Sequence, residues 1–476
     1  MPSPQPPPLP RLDGRPWLSD PNLGAVFRAI AAGGYEARVV GGAVRNSLLG
    51  RPVVDVDLAT PARPEVVMRL ARAAGLTAIP TGIEHGTVTV VSQHAPSEVT
   101  TLRRDIETFG RHARVTYTTD WTEDAARRDF TINALYCGAD GRVHDPLGGW
   151  ADVAARRVRF IGNPRDRIGE DYLRILRFFR FTAEYATGDP DPDGLAASVA
   201  MQGGLEALSG ERLRAETLKL LVAPRAPQVL AIMAHCGILA RIAGRPANLA
   251  TLDRLVEIER FGGLPPDPVR RLAALFVTTA GDVPALRERL RLSNAEAATL
   301  TTAGEDHRSL GPPSPEALAK AHIYRHGADH FRAAFVLNWA RTGTAPDDPS
   351  WRDRLALPDR FPRPVLPVRG SDVLSLGVTA GPTVGRVLAA FEAWWIGADF
   401  PDDPSLVAAQ LAALVHREHG QLDQVGGGAL HRRVDGGAAR GVGGHGPADR
   451  RAGGRTHSVR DGEGQANVSG FRPAFG

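Results

Sequence analysis

Lysine is nearly absent from this 476-residue chain: Lys219 and Lys320 are the only two, so almost every cation is arginine. Arginine suits bidentate contacts with phosphate, although a GC-rich coding bias accounts for the excess equally well. Cysteine is as scarce. Cys137 and Cys236 stand alone with no Cys-x-x-Cys pair, which excludes a disulfide framework and a zinc ribbon. No apolar run reaches the length of a membrane-spanning helix. The Pro-rich start, Met1 to Pro10, contains no apolar signal segment, so secretion is not expected and the cytoplasm is the expected address. Net charge is also small. From Gln421 onward eight arginines face five acids, so most of the formal +4 belongs to the tail. Any nucleic-acid contact must rest on local patches, not on bulk charge.

What is present is an ordered set of motifs. Gly41-Gly42-Ala43-Val44-Arg45 comes first, Asp55-Val56-Asp57 second, and Arg128-Asp129-Phe130-Thr131-Ile132-Asn133-Ala134-Leu135 third. Glycines between a strand and a helix start let a phosphate approach the backbone, and Arg45 one turn on can add a charged contact. Alone, a Gly-Gly turn is as well read as a tight turn. Residues i and i+2 of a strand share a face, so Asp55 and Asp57 can hold magnesium together. A two-metal nucleotidyl transfer needs that arrangement, one ion for the attacking hydroxyl and one for the triphosphate. Glu98, opening the strand Val99-Thr100-Thr101-Leu102, is the natural third carboxylate, and a strand-edge acid is its plain alternative.

These residues resemble the bacterial class II tRNA nucleotidyltransferase and poly(A) polymerase family, which includes the CCA-adding enzymes. The likeness runs from about Tyr35 to Leu221, and more weakly to about Leu414. The family usually reads Gly-Gly-x-Val-Arg-Asp, whereas this chain has Asn46 in place of the Asp. The resemblance implies an α+β fold: a small mixed-sheet nucleotidyltransferase head, then an all-helical neck, body and tail. It implies Mg²⁺ as cofactor, tRNA as partner, and CTP and ATP as substrates. Gly42, Arg45 and Arg128 would contact nucleotide, and Asp129 would brace the site. No membrane is implied, and the oligomeric state stays open.

Glu170-Asp171-Tyr172-Leu173-Arg174-Ile175-Leu176-Arg177 bears on substrate choice. Tyr172, Ile175, Leu176, Phe179 and Ala183 follow the spacing of a buried helical stripe, which puts Asp171, Arg174 and Arg177 together on another face. One reading is an intrahelical ion-pair ladder. The other is a template for a base, with the carboxylate accepting from an exocyclic amine and Arg donating to the adjacent ring acceptor. Cytosine and adenine fit; guanine and uracil leave groups unpaired. The resemblance implies the same roles and adds Arg177 and Arg180 as nucleotide contacts.

The expected divisions are a structureless start over 1–22, the head over 23–158, a base- and RNA-binding neck over 159–230, a tRNA-binding body and tail over 231–420, and a Gly/Arg-rich appendage over 421–476. That appendage reads as disordered or as out-of-frame sequence. Within the head, helices are expected over 23–32, 44–49 and 64–74, and strands over 37–40, 53–58, 87–91 and 98–103. A hairpin is expected around Asp140-Gly141. A further helix begins near Thr122 and ends in Arg127-Arg128-Asp129. His322, His326 and His330 sit four apart, but Gly327 interrupts them, and a solvated or RNA-facing helix is preferred over zinc. His144-Asp145 reads as part of a turn. The leading activity is template-independent addition of CMP and AMP to a tRNA 3′ end. The alternatives are a poly(A) polymerase, a CC-only or A-only enzyme, and a non-enzymatic RNA-binding relative. Poly(A) polymerases of the family carry an Arg-rich run where this chain reads Thr81-Gly82-Ile83-Glu84-His85-Gly86-Thr87-Val88.

Overall fold

The computed structural model describes residues 8–109 and 112–430, with the backbone alone over 105–109, 112–115 and 419–430. Two compact units are present, one built from the chain up to Val368 with Glu392–Pro404, the other from Arg369–Phe391 and the chain from Ser405.

The first unit begins with a docked segment, not the structureless start expected over 1–22. Leu12 is buried and its N–H donates to Gly141 O at 2.8 Å, while Arg11 bridges to Arg142. Residues 1–7 lie outside the described residues. Helix α1 (Pro21–Ala31) is capped by Asp20, whose carboxylate accepts from Asn22 N. Then come β1 (Arg38–Val40), α2 (Gly42–Leu48), β2 (Asp57–Thr60), α3 (Pro64–Ala73), β3 (Thr77–Gly82), β4 (Thr87–Ser92), β5 (Ala95–Thr101), β6 (Arg103–Phe109), β7 (His112–Tyr117), α4 (Trp121–Ala126), β8 (Tyr136–Gly138) and β9 (Val143–His144). Seven strands form one sheet in the order β3-β4-β5-β2-β1-β8-β9, and β6 and β7 form a separate ribbon. Only β2 and β5 pair in parallel, so the sheet is mixed, as expected. Strand β3 and the β6–β7 ribbon were not anticipated.

Strand β2 is shorter than the expected 53–58. Its register with β1 ends at Val40↔Asp57, and the next residue, Gly41, turns away with φ 72°. Its register with β5 starts at Leu58↔Val99. Residues 53–56 therefore have no partner on either side, and a strand without a ladder does not persist. Asp55 sits on an irregular segment, Asp57 on the first strand position.

From Pro164 to Leu430 every helix or strand is helical. Those that build the site are α5 (Gly149–Ala154), α6 (Pro164–Glu170), α7 (Leu173–Tyr185), α8 (Pro192–Met201) and α9 (Gly210–Leu221). Phe130 of the third motif stacks with Phe160 (4.9 Å) and Phe181 (5.1 Å), and Phe160 with Phe178 (5.4 Å). Burying aromatic rings of this size dominates local packing energy, and here it fixes α7 against the third motif and the segment around Phe160. One apolar core runs from Leu12 to Leu357 without a break. In the second unit, the helix Pro404–Leu430 passes the expected boundary at 420; the rest of the appendage, 431–476, lies outside the described residues.

Candidate active site

Two cavities meet at Asp57. The first, about 510 Å³, is lined by Gly41, Gly42, Arg45, Asp57, Arg128, Asp129, Asn133, Asp171, Arg174, Arg177, Phe181 and Arg212, with Val40 and Leu173. The second, about 730 Å³, has Asp55, Asp57 and Glu98 in its wall together with Trp17, Asp20, Asn22 and Val54. All three ordered motifs thus converge, from Gly41 to Asn133, 92 residues apart in sequence.

The Gly-Gly turn is backbone close to side chain. Gly41 takes a left-handed φ, and a Cβ there would lie 3.7 Å from both Arg128 Nη1 and Asn133 O. Arg128 donates Nη2 to Asp124 at 3.0 Å, and Asp124 also accepts from Tyr136 OH (2.8 Å) and from Arg127. Burial disfavours the Arg128 charge, but Asp124 and Tyr136 outweigh it and hold its pKa above the usual value. The α4 helix stops before Arg127, so Arg128 and Asp129 lie beyond it on the stretch that Arg167 holds through the carbonyls of residues 127 and 128.

Arg45 faces inward more than a phosphate contact would. Only 6% exposed, it gives Nη1 to Asn133 Oδ1, Nη2 to Tyr185 OH (2.7 Å), and Nε and Nη2 to Asn46 Oδ1 (3.1 and 2.9 Å). It lies 4.1 Å over the Tyr185 ring. Burial lowers its pKa, since the nearest carboxylates act only at a distance.

Asp129 is a brace. Its Oδ2 accepts Nε and Nη2 of Arg177 (2.8 and 2.5 Å), and its Oδ1 accepts Asn133 Nδ2 and Phe130 N, both at 2.9 Å. Burial would raise its pKa, but Arg177 and Asn133 bring it below the ordinary value.

The expected face of Asp171, Arg174 and Arg177 on one helix does not form. Helix α6 ends at Glu170, and Asp171 is extended (φ −158°, ψ 108°) before α7 begins at Leu173. Its Oδ1 caps α7 by accepting Leu173 N at 3.1 Å, and its Oδ2 accepts Arg212 Nη2 at 2.6 Å. A carboxylate free to cap is better placed at a helix start than inside it. Each arginine has its own acid elsewhere: Arg174 with Glu170, Arg177 with Asp129, Arg180 with Glu216 at 2.5 Å. An intrahelical ladder through Asp171 is therefore ruled out. Arg180 does not line the cavity, against the expectation of a nucleotide contact. The apolar stripe of Ile175, Leu176, Phe179 and Ala183 is buried, with Tyr172 only partly so. Arg212, which the sequence reading missed, enters from α9; its partner lies 41 residues away and no local spacing announces it.

On the other side of Asp57 three of the acids are unpaired. Among the described residues, Asp55, Asp57 and Glu98 accept no side-chain hydrogen bond or ion pair. Asp57 is pushed above the usual carboxylate range by burial first, then by Glu98 and Asp55, with Arg128 opposing. No group of three or more His, Cys, Asp or Glu among the described residues is disposed to hold a metal ion alone, so Glu98 does not complete a three-carboxylate set. Two carboxylates with accumulated negative charge fit Mg²⁺ nonetheless, because that ion is ordinarily held by one or two carboxylates plus substrate phosphates.

Two other expectations are placed. Asp145 accepts from Gly149 N and Trp150 N (2.8 and 2.9 Å), a turn role, with His144 ending β9. His322 and His330 meet at 2.9 Å across the break at Gly327, on separate helices.

The comparisons with known proteins bear on the family. Residues 37–159 match the family model for the poly A polymerase head domain, and 189–246 the model for a probable RNA and SrmB-binding site of polymerase A. The mitochondrial CCA tRNA nucleotidyltransferase 1 of Danio rerio is 36% identical over 378 residues, 76% of this chain and 83% of the relative. The CCA-adding enzyme of Geobacillus stearothermophilus is 34% identical over 374 residues, 77% of this chain and 90% of the relative. The crystal structure of the Bacillus stearothermophilus CCA-adding enzyme in complex with CTP superposes with a TM-score of 0.66 at 30% identity, covering 84% of this chain and 98% of that one. With the Gly-Gly turn, the aspartates and the Arg-Asp brace gathered at one cleft, the chain belongs to the CCA-adding tRNA nucleotidyltransferase family.

Proposed function

We infer that this protein adds CMP and AMP from CTP and ATP to the 3′ end of tRNA without a nucleic-acid template, releasing pyrophosphate. The observation that carries this reading is the meeting of the two cavities at Asp57: one side offers hydrogen-bonding groups suited to a base, the other unpaired acids suited to cations. Asp55 and Asp57 are the residues that would hold Mg²⁺, which when bound activates the attacking hydroxyl and stabilises charge on the triphosphate. Gly41 and Gly42 admit the triphosphate to the backbone, and Arg128 stands beside them with Nη1 directed to the turn.

On the base side, Asp171 keeps acceptor capacity after serving Leu173 and Arg212, and among the described residues only Nη1 of Arg174 is engaged. Asp171 accepts an exocyclic amine, and Arg174 donates to the neighbouring acceptor. Cytosine and adenine satisfy both; guanine and uracil would leave a carboxylate facing a carbonyl. The volume of the cavity suits a ligand of nucleotide size. The helical part beyond the head binds tRNA, by shape and phosphate contacts, because the deep groove of duplex RNA hides its sequence. Among the described residues no helix is long and apolar enough to cross a membrane. The cytoplasm is the proposed compartment, in keeping with the unpaired thiols of Cys137 and Cys236.

A poly(A) polymerase is the second reading, and the stretch Thr81–Val88, without an Arg-rich run, speaks against it. The deciding assay supplies each nucleoside triphosphate separately to tRNAs lacking CCA, CA or A. CTP incorporation on the first two and ATP incorporation on the third is the expected pattern. ATP incorporation on all three would replace it with polyadenylation.

A further inference from the structure

Asn46 uses both ends of its amide. Its Oδ1 accepts from Nε and Nη2 of Arg45 at 3.1 and 2.9 Å, and its Nδ2 donates to Pro52 O at 2.9 Å. The assignment of the two ends is chemically forced: a guanidinium only donates, a carbonyl only accepts, and a flipped amide would lose all three bonds. Asn46 therefore joins α2, beside the nucleotide cavity, to the irregular segment that carries Asp55.

That segment has few other holds. Residues 53–56 lack a strand partner, Val54 is 88% exposed, and Val53 and Val56 reach the core only in part. Before it, Arg51 N donates to Asn46 O at 2.8 Å, and the Arg51 side chain reaches the side chain and carbonyl of Glu184 at the end of α7. After it comes Asp57 in β2. The Pro52 carbonyl is thus the last polar anchor ahead of Asp55, and Asn46 supplies its donor. A carboxylate at position 46 could keep the bonds from Arg45 but could donate nothing to Pro52.

We propose that Asn46 is a positioning residue that ties the Arg45 side of the nucleotide cavity to the backbone placing Asp55, so that the nucleotide site and the metal-holding acids are held in register through one amide. This rests on the transferase reading above. Asn46 lines neither cavity; it acts through Arg45 and Pro52.

Asn46→Asp and Asn46→Ala separate its two ends. The Asp variant should fold, since a carboxylate has the same size and shape as the amide and keeps the bonds from Arg45. In Asn46→Asp, hydrogen exchange of the Arg51 amide, which donates to Asn46 O at 2.8 Å beside the lost tie, should quicken, the Mg²⁺ concentration for half-maximal CTP incorporation should rise about five- to tenfold, and KM for CTP should stay within about twofold, the scale of one lost hydrogen bond on one side only. Asn46→Ala should show the same loosening and, in addition, a rise of about fivefold in KM, because Arg45 loses its acceptor as well. Asn46→Asp with the exchange and the Mg²⁺ requirement of the parent would overturn the proposal. So would an equal rise in KM in both variants. If the parent protein adds no nucleotide to any tRNA, the transferase reading fails, while the exchange comparison, made without ligand, still decides the role of Asn46.

Discussion

The two sides of Asp57 are built on opposite electrostatic plans. Toward the base, every acid is matched: Asp129 by Arg177, Glu216 by Arg180, Asp171 by Arg212, Glu170 by Arg174. Toward the aspartates, three acids face one cavity without a hydrogen bond or ion pair among the described residues. A matched network in a partly dry site holds its members in fixed geometry, which reading a base requires. An unmatched cluster stores repulsion that a cation relieves, which holding metal requires. The same fold thus matches the acids on one wall and leaves three on the other unpaired among the described residues.

The sharpest way to break this contrast is to remove the unpaired acids. Asp57→Ala or Asp55→Ala should lower nucleotide incorporation by at least about a thousandfold, because a ligand of the catalytic ions is lost. Thermal stability should be unchanged or slightly higher, since neither carboxylate has a partner to abandon. Incorporation near the parental rate at ordinary Mg²⁺ would remove both residues from the site.

The matched wall should fail in the other way. Asp129→Ala takes from the partly buried Arg177 its closest acid, leaving only Glu216 at 3.8 Å among its ion pairs in the described residues, and withdraws an acceptor from Asn133, which in turn positions Arg45. Breaking one partner of such a pair costs about 3 kcal/mol, so chemical denaturation should show a large loss of stability together with weaker nucleotide binding. A variant as stable as the parent would mean the network does not hold the site.

How much of this was legible beforehand differs between the walls too. The motifs pointed to Asp55, Asp57, Arg128 and Asp171 as catalytic, metal-holding or nucleotide-binding residues, and each of them lines one of the two cavities. Their backbone settings were misread. Alternation of Val and Asp suggested a strand over 53–58, yet strand length is decided by partners, and β1 turns away at Gly41. The helical stripe suggested that Asp171 lay within a helix, yet the stripe is blind to a break between Asp171 and Leu173 that leaves the apolar phase intact. Arg212, and Tyr185 against Arg45, lie 41 and 140 residues from the groups they hold. Long-range pairs of this kind leave no trace in local spacing.

Base choice sharpens the comparison by a smaller amount. Asp171→Ala should slow CTP addition and lower the ratio of CTP to UTP incorporation by about tenfold, the effect of one lost complementary contact in a site that otherwise still binds. Arg212→Ala should move the ratio in the same direction, since Arg212 fixes Oδ2 of Asp171. Were Asp171 only a cap and an ion-pair partner, both variants would melt earlier with the ratio unmoved.

The smallest effect is the most direct test of the opposite plans, because it gives them opposite signs. The folded pKa of Asp57 is raised above its unfolded value of about 3.9 by burial, Glu98 and Asp55, so its ionised form weakens the fold at neutral pH. That penalty fades as pH falls through the raised pKa. Asp129 is held below its unfolded value with Arg177 and Asn133 outweighing burial. Its contribution is complete above the unfolded pKa and is lost as pH falls through the lowered one. Asp57→Asn should therefore raise the melting temperature at pH 7 by about 1 °C, an effect kept small by solvent screening, and the gain should vanish toward pH 4. Asp129→Asn should lower it at pH 7 and approach the parent only in stronger acid. Melting curves of the two variants across that range decide the matter. Shifts of the same sign would mean that the walls do not differ in charge balance, and the division of the site at Asp57 would fall with them.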